Sequence, residues 1–292
     1  MTKRDFIGVI VGLCLLAFCL IASMSYGAEC VPPKKDDITL TDKNTLALRG
    51  PVDEVTVTQV VKRLHEAPLD QKLYLFLDTP GGQVDAGKVL IHALMNTNRD
   101  VTCIISTAYS MGFVISQVCK ERIILPFSSM MQHVVWYGLR GEGPNNRSYV
   151  NKVDAEMKLL DKMQADRLGM SLKDFENKIR DDWWIDGENI LKAKVADKIV
   201  TKISCSQELT EKSTFLDYDF LFAKLTLVYS GCPLVTQPTS TALVFSYDID
   251  PAVKQAVTRK AESKVTAHTR HREWLYQQTP SKPRVPSDRA LP

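Results

Sequence analysis

The chain has 292 residues, 45% of them hydrophobic and 24% charged, which suits one large globular domain or one domain with an appendage. Lys and Arg number 37 against 34 Asp and Glu, a net charge of +3 with no basic stripe carrying interleaved aromatics, and this excludes nucleic acid as a partner. No Cys-x-x-Cys and no Cys/His cluster with metal-ligand spacing occurs, so no metal and no other cofactor is expected.

In chain order, Lys3 and Arg4 precede an apolar run from Phe6 to about Met24, and the small residues Ser25, Gly27 and Ala28 follow. That order predicts a secretory signal over 1–28, cut near Gly27 or Ala28. The rival is an uncleaved membrane anchor, because the run approaches spanning length. Either way the rest of the chain is expected to be exported, periplasmic or secreted, with membrane contact only through this segment. Cys30, Cys103, Cys119, Cys205 and Cys232 lie beyond it, an odd number. In an oxidising compartment the expected pair is Cys205–Cys232, since both lie in the C-terminal region. Cys103 sits in an apolar run and is expected to be a buried reduced thiol.

Residues 31–43 read as a polar lead-in. Thr45 to Leu48 predicts a short strand ended by Gly50-Pro51. Asp53 or Thr56 caps a helix to about Glu66, with Val57, Val60, Val61 and Leu64 on one face. Leu73–Leu77 predicts a buried strand, 78–82 a tight turn, and Ala86–Met95 a helix. Val101–Ile105 predicts the next strand, and an apolar helix opens at 109–112 and runs through Val118. Arg122–Leu125 and Met130–Val135 predict two further strands. Tyr149–Leu168 has Val153, Met157, Leu160 and Met163 at helical spacing, and Leu172–Ile179 is a shorter helix. Trp183 to Val200 closes the unit with a helix and a strand. Strands alternating with helices of about ten residues predict an α/β fold with βαβ units and a mostly parallel sheet. The core domain is set at 29–200. A C-terminal extension of short strands, turns and a basic helix from Pro251 to about Tyr276 occupies 201–277. A proline-rich tail over 278–292 is expected to be disordered.

Three features carry chemistry. Ser110, in Ala108-Tyr109-Ser110-Met111-Gly112, follows a buried strand and opens an apolar helix, whose N-terminus offers free N–H groups to developing negative charge. Alone it reads more readily as a helix cap. Pro80-Gly81-Gly82 lies at another strand-to-helix junction, where glycine allows close backbone approach, and the N–H groups of Gly82 and Met111 are placed to share an oxyanion. Alone it reads as a plain turn. His133, in Met130-Met131-Gln132-His133, lies on a short apolar strand and by itself reads as a core histidine. His268 and His271 lie in the basic C-terminal helix and are expected in solvent.

Taken together these segments resemble a known family. Leu77-Asp78-Thr79-Pro80-Gly81-Gly82 with Ala86-Gly87 resembles the strand–Pro-Gly-Gly–helix element of the ClpP serine peptidases in the ClpP/crotonase superfamily. Ala108 to Gly112 is similar to their Ala-x-Ser-Met-Gly nucleophile motif, and Met131-Gln132-His133 after Leu125-Pro126 to their Leu-Pro…His segment. Asp182 onward, through Val195-Ala196-Asp197, resembles their closing stretch. The resemblance covers about 45–200. It implies Ser110 as nucleophile, His133 as general base and then acid, and Asp182 as the group that orients the imidazole. Gly82 and Met111 would form the oxyanion hole. Asp181 and Asp186 are the weaker candidates for the third position. It also implies a peptide or unfolded protein segment as substrate, and a homo-oligomer with ring assembly open to it through helix Tyr149–Leu168. Residues 134–141 depart from the family's Gln-Pro and Gly-rich pattern, and 201–292 have no counterpart in it. Family members work with ATP-driven unfoldases inside cells. An exported chain meets little ATP, so endopeptidase action without an ATPase partner is expected. Two other readings stay open: a signal-peptide-peptidase-type Ser–Lys hydrolase using Lys88 or Lys152, and a non-catalytic assembly module on the same fold.

Overall fold

The apolar runs of the first half fold as a sheet because their side chains alternate between two buried faces. A computed structural model describes residues 37–136 and 142–271. The expected signal, the tail after 277 and the last residues expected in the C-terminal helix lie outside the described residues. Strands β1 (Ile38–Leu40), β2 (Thr45–Arg49), β3 (Leu73–Thr79), β4 (Val101–Tyr109) and β5 (Glu121–Gln132) alternate from β2 onward with α1 (Glu54–Glu66), α2 (Val84–Asn96) and α3 (Met111–Gln117). The chain then runs through α4 (Gly143–Leu168), α5 (Leu172–Ile179), β6 (Trp183–Asp186), α6 (Glu188–Lys192) and β7 (Lys198–Ile199). The principal sheet has the order β2-β3-β4-β5-β6, with β7 pairing β5. β2 to β5 are mutually parallel, and β6 runs antiparallel to β5. The expected α/β architecture with a mostly parallel sheet is present.

Period-two alternation decides what each face meets. Leu75, Leu77, Cys103 and Ile105 pack with Val57, Val60, Leu64, Leu90 and Phe113 from the helices. Phe76, Ile104 and Ile123 point the other way, to Ile38, Leu40, Val200 and Leu209. β1 therefore belongs to the fold, pairing in parallel with β8 (Ile203–Cys205), where the sequence reading had only a polar lead-in. The start of α1 uses both expected caps. The Asp53 carboxylate accepts from the N–H groups of Val55 and Thr56, and the Thr56 hydroxyl accepts from Asp53 N–H.

Two expected strands prove to be one. β5 continues across Pro126 because the ladder to β4 jumps from Ile105↔Ile124 to Thr107↔Ser129. Four residues of β5 lie between these rungs, with Phe127 fully exposed and Ser128 buried, and pairing resumes beyond them. His133 accordingly follows the end of a long strand rather than lying within a short one.

Beyond β8, α7 (Gln207–Glu211) leads to an antiparallel sheet of β9 (Ser213–Phe220), β10 (Ala223–Ser230) and β11 (Ser240–Phe245), and then to α8 (Pro251–Thr269). The described residues from Ile38 onward belong to one compact unit. Arg49 of β2, itself buried, donates to the carbonyls of Ser230 and Val235 and to the Thr214 hydroxyl, and lies 4.4 Å from the centre of the Tyr229 ring. Lys264 of α8 meets the Asp53 carboxylate at 2.8 Å. His268 is fully buried, with both ring nitrogens 2.7 Å from tyrosine hydroxyls, Tyr218 and Tyr229. His271 is largely buried, 3.7 Å from Asp78. Both histidines were expected in solvent; instead His268 is enclosed by Tyr218 of β9 and Tyr229 of β10, and His271 lies against Asp78 of β3. Disulfides join Cys205 to Cys232, as expected, and Cys103 to Cys119, which corrects the reading of Cys103 as a free thiol. No helix among the described residues is long and apolar enough to cross a membrane.

Candidate active site

Two strand-to-helix turns meet at the ends of β3 and β4. Ser110 sits between β4 and α3 with φ 52° and ψ −118°, a conformation that side-chain-bearing residues seldom adopt. The surroundings hold it there. Its N–H donates to Met131 O at 2.7 Å, and its carbonyl accepts from Val114 N–H. The neighbouring turn leaves room for it only because residue 81 is glycine. A Cβ on Gly81 would fall 2.7 Å from Ser110 Cβ and 2.5 Å from Tyr109 O.

His133 Nε2 lies 2.8 Å from Ser110 Oγ, the contact a general base needs to take the serine proton. Two buried glutamines fix the strand end that carries it. His133 N–H donates to Gln132 Oε1, Gln132 Nε2 donates to Gln164 Oε1 at 2.7 Å, and Gln164 Nε2 donates to Leu160 O on α4. The β5–β6 ladder ends with Gln132 paired to Trp183, so His133 and Asp182 are the residues that flank its last rung, one on each strand. Asp182 is half-buried with φ 57°. Among the described residues no hydrogen bond joins its carboxylate to the imidazole. Asp186 stands at the far end of β6, opposite Ser129, and Asp181 is exposed at the preceding turn.

Gly82 pairs with Val52 through its neighbours: Val52 N–H donates to Gly81 O and Gln83 N–H to Val52 O, both at 2.8 Å. Gly82's own N–H is left without a protein acceptor among the described residues. Met111 is the first residue of α3, where helical geometry provides no acceptor for its N–H. The structure thus brings Ser110, His133, Gly82 and Met111 to one place.

A cavity of about 550 Å³ opens beside Ser110 and His133. Met111, Val114, Leu160 and Ile179 give it apolar walls, while Asp161 of α4 and Glu176 of α5 add carboxylates. Asp161's pKa is pushed up to about 6, first by burial and then by the charge of Glu176. None of Gln132, Gln164, Asp161 and Glu176 was read as functional from the sequence. The available signal was Gln164 itself, a polar residue four positions beyond Leu160 on the apolar stripe of α4.

The lysines considered for a Ser–Lys mechanism are engaged elsewhere. Lys88 pairs with Asp85 at 2.8 Å and Glu156 at 3.1 Å, and Lys152 with Glu156 at 3.0 Å. The hydrogen bond to Asp85 raises the Lys88 pKa, the wrong direction for a base working near neutrality. Among the described residues no group of three or more His, Cys, Asp or Glu is arranged to hold a metal ion.

Comparison with known proteins bears on the family of the chain. The family model described as Clp protease matches residues 35–203. The chain is 28% identical over 166 residues to an ATP-dependent Clp protease proteolytic subunit of Streptococcus suis (strain 98HAH33), covering 53% of this chain and 83% of that one. It is 27% identical over 166 residues to the protein of the same description from Streptococcus mutans serotype c (strain ATCC 700610 / UA159), with the same coverage.

Proposed function

The chain belongs to the Clp protease family, and from that premise we propose that it is an exported serine endopeptidase cutting peptides or unfolded protein segments through Ser110, His133 and Asp182. The carrying observation is the 2.8 Å contact between His133 Nε2 and Ser110 Oγ at the wall of a cavity large enough for a side chain. Ser110 Oγ attacks the scissile carbonyl as His133 takes its proton. The oxyanion of the tetrahedral intermediate is received by the N–H groups of Gly82 and Met111. His133 then returns the proton to the leaving amine, and water repeats the sequence on the acyl-enzyme. Asp182 is assigned the orienting role because it adjoins Trp183, the strand partner of Gln132 next to His133. Catalytic hydrogen bonds in ligand-free sites are often long and close only when substrate binds.

Export is supported by two disulfides, which persist in oxidising compartments and are rare in the cytosol. The N-terminal apolar run supports it from the sequence side. There ATP is scarce, so the enzyme works on segments already unfolded, without an ATPase partner. Homo-oligomer formation is inferred from the relatives, which are described as proteolytic subunits.

Fluorophosphonate labelling of the purified protein tests the reading. Labelling is expected in the wild type, absent in Ser110→Ala and His133→Ala, and slowed by about a hundredfold or more in Asp182→Asn, where the imidazole loses its orienter. A well-folded wild type that takes no label would overturn it. Undiminished labelling in Asp182→Asn would remove Asp182 alone from the triad.

A further inference from the structure

The cavity beside Ser110 has an uneven charge distribution. Its apolar walls, Met111, Val114, Leu160 and Ile179, suit an aliphatic stem. Asp154 and Lys158 also line the cavity, so its four charged side chains sum to a formal charge of −2. Asp161 and Glu176 lie on two different helices and face the same space. Neither takes part in an ion pair among the described residues. Asp161 Oδ1 accepts a hydrogen bond from Gln164 Nε2 at a long 3.4 Å. Carboxylates that outnumber the one lysine in the cavity repel each other, and the partly buried Asp161 resists ionisation. Such an arrangement gains most when a cation enters.

We propose that this cavity takes the lysine or arginine side chain of the residue on the acyl side of the scissile bond, with Asp161 and Glu176 as the specificity-determining groups. The proposal rests on the serine-peptidase reading above and adds its substrate class. The serine is on the same cavity wall, which puts the cavity within reach of the residue whose carbonyl Ser110 attacks. A long basic side chain lays its methylenes along the apolar walls and carries its charge to the carboxylates. A carboxylate in the pocket beside a nucleophilic serine selects a basic side chain in this way. A glutamate in the same place would add a further negative charge, and a leucine would leave the partly buried Asp161 carboxylate without a cation.

The test uses three fluorogenic peptides that differ only in the residue before the cleaved bond, arginine, norleucine or glutamate. The expected kcat/KM order is arginine, norleucine, glutamate, with arginine ahead of norleucine by about tenfold or more. In Asp161→Asn, and further in Asp161→Asn/Glu176→Gln, the arginine-to-norleucine ratio should collapse towards unity. Binding is measured separately, by fluorescence anisotropy of the same three peptides on Ser110→Ala and on Ser110→Ala/Asp161→Asn. Tighter binding of the arginine peptide that depends on Asp161 upholds the pocket assignment even if the wild type fails to hydrolyse anything, and only the serine-peptidase reading then falls. A preference for norleucine in hydrolysis, or arginine binding indifferent to Asp161, overturns the proposal and leaves the serine chemistry standing.

Discussion

Asp161 holds its place in α4 against its own electrostatics. Burial and then Glu176 push its pKa up to about 6, from an ordinary 3.8. The folded protein therefore keeps a proton that the unfolded chain has already released between those values. The site's stability contribution is fully present below the unfolded pKa and is lost as pH rises through about 6. Four charged or titratable groups share the cavity with it: Glu176 on α5, Asp154 and Lys158 on α4, and His133 beyond β5. Asp161→Asn, which retains the shape and discards the charge, is expected to melt higher than the wild type near about pH 7.5 and to lose that advantage near about pH 4. Thermal unfolding at the two pH values checks this. A gap that ignores pH would mean that Asp161 is already neutral or fully solvated. A residue that weakens the fold at neutral pH while lining the cavity beside a nucleophile fits a group retained for function. None of this was legible from the sequence, because the pKa of Asp161 depends on a helix eleven positions further along the chain. Ser110 and His133 were legible, since each belongs to a short motif whose spacing survives in the fold.

Among the elements, those with strong periodicity were placed well and those that bury small residues were not. β3 alternates Leu73, Leu75 and Leu77 against Tyr74 and Phe76, and α1 repeats Val57, Val60 and Leu64, so both follow from pattern alone. β5 was divided at Pro126 because a proline normally ends a ladder, and a bulge is invisible until the partner strand is known. α8 was read as solvated because charges occur all round it. It buries only Ala261, Ala267 and His268, which no apolar stripe announces. The tie is nonetheless specific. Burial lowers the His268 pKa to about 3, so the ring is neutral, with one donor and one acceptor nitrogen. One tyrosine hydroxyl accepts from it and the other donates to it. Space is close, since a Cβ on Gly50 would lie 2.0 Å from His268 Nδ1. His268→Leu keeps most of the volume and strands two buried hydroxyls, at a cost of about 2–4 kcal/mol. Urea unfolding measures this. A helix that merely sat in water would lose less than about 0.5 kcal/mol for the same change.

At the scale of the molecule, the two disulfides tie different parts of the argument together. Cys205–Cys232 closes 27 residues and fastens β8 to the end of β10, so it braces the C-terminal extension. Cys103–Cys119 closes 16 residues, and the loop it closes contains Ser110, Met111 and the whole of α3. Crosslinks of these spans stabilise by about 3 kcal/mol each, chiefly by restricting the unfolded chain. Their loss is expected to register in different places. Cys205→Ser/Cys232→Ser should lower unfolding free energy by about that amount and leave fluorophosphonate labelling of the folded protein near the wild-type rate. Cys103→Ala/Cys119→Ala should lower stability to a similar degree and also slow labelling, because Ser110 is held in a strained backbone conformation by the segment the bridge encloses. Exposure should order their chemistry as well. Cys103 and Cys119 are 0% and 2% exposed, so a mild thiol should open Cys205–Cys232 first and reach the core bridge only on unfolding. Alkylation of the protein in intact cells, followed by mass measurement, puts both bridges and the export reading to one test. Four cysteines protected until reduction place the chain in an oxidising compartment. Free Cys103 and Cys119 in folded, active protein would return it to a reducing one, where an ATP-driven partner becomes available again.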